Sequence, residues 1–127
     1  MIHDEICTYE VAKLAKEKGF DWRPSMYFHS GVESDLREVG VNGANPNKIP
    51  HSPHISCPTQ TQLQRWLREE KRMHISIPLH KGEYKYFWAI DNLSRKKKAD
   101  DIAYNLFATY ELALEDALKY ALENLLD

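Results

Sequence analysis

The chain of 127 residues is short of several things at once. It has no apolar run near the roughly 20 residues that a membrane-spanning helix needs, so a membrane protein of that kind is not expected. It has no excess of positive charge: 17 Lys and Arg face 19 Asp and Glu, and the formal net charge is −2. A field that gathers nucleic acid onto the whole molecule is therefore missing. There are only two cysteines, Cys7 and Cys57, too few for a disulfide scaffold. Free thiols in a reducing cytoplasm are the expected state, with one disulfide as the alternative. There are only five glycines, and none falls in a phosphate-binding loop or a nucleophile elbow. His-Glu-x-x-His is also absent. The first five residues, Met1-Ile2-His3-Asp4-Glu5, have neither a basic start nor an apolar stretch, and no secretory signal is expected there.

What is present is ordinary for a folded globular protein: 43% hydrophobic and 28% charged residues. The length suits one domain. Three helices are predicted. The first, over about 9–18, starts at the N-cap Thr8, carries Val11, Leu14 and Ala15 on one face, and stops at Gly19. The second covers about 60–71. Thr59 and Gln62 have capping-box spacing, and Leu63, Trp66 and Leu67 form its apolar stripe. Burying the Trp66 ring contributes on the order of 3 kcal/mol to anchoring this helix. The third covers about 110–126, capped by Thr109, with Tyr110, Leu114, Ala117, Leu118, Ala121 and Leu125 inward and a Glu115, Lys119, Glu123 ladder outward. Thr8-Tyr9-Glu10-Val11-Ala12 and Thr109-Tyr110-Glu111-Leu112-Ala113 echo each other. Their flanks do not, so both are read as helix starts with the same capping solution.

A hairpin is predicted at about 74–79 and 84–91, closed through His80 to Glu83. Pro78 should mark an edge or an end, because it has no N–H to donate. A third strand is placed at about 26–29, since a hairpin alone is marginal. Tyr84, Tyr86 and Trp88 should project to one side of the second hairpin strand, and Phe87 and Ala89 to the other. A strand apolar on both faces needs two covers. Helices supply one; the other is expected from the 40–57 loop or from a partner chain. The stretch at about 30–57, rich in Asn and Pro, is read as a long irregular loop, and Ser94 to Asp101 as a second loop. The expected fold is therefore a single α+β domain over 1–127, with a small antiparallel sheet against the first and third helices. Its expected core is Leu14, Leu63, Trp66, Leu67, Ile75, Ile77, Trp88, Ile90, Leu114, Leu118 and Ala121.

Three chemistries deserve weighing. His51, His54 and Cys57 are spaced three apart, with His29, Cys7 or His74 as a fourth zinc ligand. There is no Cys-x-x-Cys pair, and a polar loop with scattered histidines is the preferred reading, so no metal or other cofactor is expected. Cys57 near a helix start, with His54 or His74 as base, is the best nucleophile available. A small buried cysteine explains it as well. Gln60, Gln64, Arg65 and Arg68 before a hairpin, with Lys96, Lys97 and Lys98 beyond it, have the order of a winged-helix recognition helix, wing and phosphate contact. Glu69 and Glu70 balance the two arginines, and no clear helix precedes this one.

Three segments carry a resemblance: Lys16-Glu17-Lys18-Gly19-Phe20-Asp21; Pro58-Thr59 with Trp66-Leu67-Arg68-Glu69 and Ile75-Ser76-Ile77; and Tyr110-Glu111-Leu112-Ala113-Leu114-Glu115 with Ala117-Leu118. In these the chain resembles a group of small uncharacterised proteins of gut Bacteroides-type bacteria and their phages. The resemblance covers about half the chain and brings no catalytic residue with it. The long connection from Ser30 to Ser56 departs from it. It implies an accessory protein of phage or mobile-element origin. With the free thiols and the uncovered strand face, the expected function is a non-enzymatic interaction or accessory module, cytoplasmic, with a protein partner or self-association. DNA binding is the alternative.

Overall fold

The computed structural model describes residues 5–94, 99–103 and 105–126. The fold is α+β, and the chain divides into two compact units, Met1–Leu63 and Gln64–Asp127.

In the first unit, α1 covers Tyr9–Glu17, with the Thr8 hydroxyl accepting from the Val11 N–H at 3.3 Å. Its end follows from Lys18-Gly19-Phe20. Gly19 takes φ +92, the Phe20 N–H donates to Ala15 O and the Gly19 N–H to Lys16 O, which satisfies carbonyls the helix leaves open. Phe20 is thereby turned inward and buried. Strands β1 (Met26–Phe28), β2 (Leu36–Glu38) and β3 (Ile55–Cys57) form an antiparallel sheet in the order β2-β1-β3. Phe28 lies opposite Leu36 on one side and Ile55 on the other. Ala12 of α1, Phe28, Ile55 and Cys57 make the core, with Tyr9 and Met26 packed on it.

Two expectations are corrected here. The 26–29 strand exists, but it pairs with β2 and β3 in a sheet of its own, and α1 finds its strand partner in β3. The 30–57 stretch is not irregular throughout. It contains two strands and short 3-10 turns at His29–Gly31 and Pro46–Lys48. Side chains order it where a ladder does not. The Asn47 amide donates to Phe20 O and accepts from the Ser56 N–H, and Asn45 donates to Asp21 O. The Arg23 guanidinium holds the carbonyls of Gly40, Val41 and Gly43. Asparagine reads as a breaker of regular structure, but its amide satisfies backbone groups that would otherwise need a strand partner.

Helix α2, Gln60–Glu70, begins in the first unit and ends in the second. Thr59 caps it, accepting from the Gln62 N–H at 3.1 Å. The other half of the capping box is absent, because the Gln62 amide donates to Arg23 O instead.

In the second unit the hairpin is interrupted. Strand β4 (Met73–Ser76) and a short β5 (Leu79–His80) run out, and β6 (Lys85–Tyr86) and β7 (Ala89–Asn92) return. β4 pairs with β7 and β5 with β6. The break lies at Pro78, whose carbonyl still accepts from the Phe87 N–H. The expected loop at 94–101 ends in a further strand, β8 (Ala99–Ile102), which pairs with β7. Beyond it the chain still follows the hairpin: Ala103 N–H donates to Trp88 O, and Tyr86 and Phe107 exchange both backbone bonds. Helix α3, Tyr110–Tyr120, continues as a wider turn over Ala121–Leu125. That wider turn changes which residues face inward. Leu122 is buried and Leu125 only half so, while Tyr110 is exposed. Of the expected core, Leu14 and Ile77 are half-buried and the rest is buried.

Candidate functional site

Register fixes the two faces of the second-unit sheet. Opposed residues share a face, and neighbours along a strand alternate. Ile75 and Ile90 are opposed, with Met73 and Asn92 on the same side, and all four are buried. Trp88 is on this side too. Its indole N–H donates to Asp116 of α3 at 2.8 Å, and its ring lies 4.8 Å from that of Tyr120. The other face carries Ser76, Ala89 and Ile102, which are opposed in turn across β4, β7 and β8. Where Pro78 breaks the hairpin, this outer side opens into a concavity of about 220 Å³ lined by His80, Phe87, Ile102, Ala103 and Leu106. Ile102 is 46% exposed, Leu79 44% and Leu106 37%. Tyr84, at the hairpin tip, is 81% exposed and sits at φ 53, a conformation that costs a non-glycine residue energy. Among the described residues β8 ends the sheet, with no strand paired on its far side.

A second arrangement lies in the first unit. The His54 and His29 rings lie 4.7 Å apart, with Tyr27 edge-on to His54 at 5.3 Å. Ser30 N–H donates to His54 Nδ1 at 2.8 Å. Lys16 Nζ donates to the carbonyls of Ser52 and His54, each at 2.7 Å. Burial lowers the Lys16 pKa. The Arg37 guanidinium donates to Asp35, which lowers the carboxyl pKa and raises that of the guanidinium. His54 and Tyr27 also border a concavity of about 190 Å³ with Glu38, Pro46 and Ile49.

The residues singled out for chemistry are not gathered into one site. His51 is exposed at φ 59, His54 is engaged by Ser30, and Cys57 is buried with its thiol toward Cys7 O. Among the described residues no group of three or more His, Cys, Asp or Glu is placed to hold a metal ion. Both cysteines are buried, which does not suit Cys57 as an accessible nucleophile. Of the four residues expected on the outside of α2, Gln60 is 4% exposed, which corrects its expected exposure. Gln64 is half-buried and donates to Ile75 O at 3.0 Å. Arg65 is exposed and paired with Glu69, and Arg68 is exposed. What precedes α2 is β3, not a helix and tight turn. Lys96, Lys97 and Lys98 lie outside the described residues.

Sequence reasoning missed the concavity because Ile102, Ala103 and Leu106 follow a charged stretch that reads as loop. The available signal was Phe87 and Ala89, which face away from Trp88 and so required a second cover. No family model matches the chain, and neither a curated protein nor a solved structure does. Among the described residues no helix is long and apolar enough to cross a membrane.

Proposed function

We propose that the chain is a non-enzymatic interaction module that docks another polypeptide on the outer face of its second-unit sheet. The observation that carries this is the apolar concavity of Phe87, Ile102, Ala103 and Leu106 at the last strand of the sheet. An exposed strand edge offers unpaired N–H and C=O groups to an added strand, and a neighbouring hollow selects its side chain. Exposed apolar surface gathered in one place marks such a surface better than the same residues scattered. The resemblance to small phage-associated proteins supports an accessory role of phage or mobile-element origin for that docking.

Affinity capture from cells that express the chain tests the proposal. The unaltered chain is compared with Ile102→Asp plus Leu106→Asp, both checked for folding by circular dichroism. A partner held in stoichiometric amount by the first and lost from the second supports the reading. A partner retained equally by both places docking elsewhere and contradicts it.

A further inference from the structure

We propose that His54 is a proton-operated latch, which holds the His29–Gly31 turn against the 52–54 segment when its imidazole is neutral and releases it when protonated. The geometry is local to the first unit and independent of the sheet face in the second. The Ser30 N–H points at Nδ1 at 2.8 Å, so Nδ1 must be unprotonated and the ring proton must sit on Nε2. Adding a proton turns both nitrogens into donors. The Ser30 N–H then faces an N–H instead of a lone pair, and the bond is lost.

The setting makes that change consequential. The turn is built on unusual backbone, with Ser30 at φ 54 and Gly31 at φ 70. It is held on its far side by Tyr9, whose hydroxyl donates to Gly31 O at 2.8 Å. Around His54, α1 presents Lys16 at its own carbonyl, β1 presents Tyr27, and the turn presents His29. β2 brings Arg37 with its partner Asp35, and Glu38 borders the adjoining concavity. On its own segment the His54 N–H donates to Ser52 Oγ at 3.1 Å. An imidazolium here meets three cationic neighbours, Lys16, Arg37 and, when charged, His29. Asp35 is already committed to Arg37.

Burial, and then His29, Lys16 and Arg37, lower the His54 pKa below 6.5. A depressed histidine pKa fixes the sign. The latch contributes fully above the unfolded-state value of about 6.5 and is lost as pH falls through the lower folded value. Acidification is therefore the signal this turn answers to, in the manner of other histidine switches.

Nuclear magnetic resonance decides it. At pH 8 the imidazole nitrogen shifts of His54 should report the Nε2–H tautomer. Between pH 8 and pH 5 the Ser30 amide should lose hydrogen-exchange protection, corrected for intrinsic exchange. The expected loss is at most about tenfold per pH unit between the unfolded-state value and the lower folded one, as one proton requires, and it flattens below both. The step should vanish in His54→Gln and persist in His29→Gln. An Nδ1–H tautomer at pH 8 overturns the proposal, and so does Ser30 protection that stays flat to pH 5. A step that survives in His54→Gln does the same. The first two readings come from the unaltered chain and stand even if a variant fails to fold.

Discussion

At the scale of the residue, the chain is held by a few side chains that replace backbone partners. Gly31 shows this most sharply. A Cβ built on it meets Pro53 O at 2.8 Å, and its φ of +70 belongs to the left-handed region. Gly31→Ala should therefore cost about 1–3 kcal/mol, read as a lowered urea midpoint with an unchanged slope. A variant as stable as the parent would show that the turn and the 53 carbonyl are not in close approach. Some of this level is legible in the sequence. Thr8, Thr59 and Thr109 each cap a helix, and Gly19 ends one, as local chemistry requires. The amides of Asn45 and Asn47 are not legible in the same way. Their partners are 24, 27 and 9 residues distant, and nothing in a local window announces them.

At the scale of the element, a partly buried polar bond joins the hairpin to α3. The Trp88 ring is buried, and its only N–H is satisfied by Asp116 across 28 residues. Asp116→Ala leaves that donor unpaired and should destabilise the second unit by about 1–3 kcal/mol, while Asp116→Asn recovers most of the loss. Thermal unfolding followed through tryptophan fluorescence measures both, and equal stability of all three chains would refute the bond's role. Helix positions were legible because capping and periodicity are local. The strands were less so. β2 and β3 are three residues each, too short for alternation to register, and β8 follows Arg95 to Lys98 in a stretch of charge. Pairing across the chain made these segments strands, and single-sequence patterns do not contain it. Gln62 failed as a capping-box partner for a related reason: Arg23 O competes for its amide.

At the scale of the whole molecule, composition excluded more than it identified. The net charge is −2, and Gln60 is buried. Arg65→Glu with Arg68→Glu should accordingly leave retention on a DNA column unchanged across salt concentrations. A loss that steepens with falling salt would restore phosphate contact as a function. The candidate surface lay half in view. The alternation that sends Phe87 away from Trp88 demanded a second cover for the sheet, but the hollow itself depends on the break at Pro78 and on the path of 103–107. We propose that another polypeptide supplies that cover. Hydrogen exchange of the chain alone and with its captured partner tests it most directly. Added protection is expected in peptides holding Leu79, Phe87, Ile102 and Leu106, with little change around α1. Protection confined to the first unit, with the outer sheet face unchanged, would contradict it.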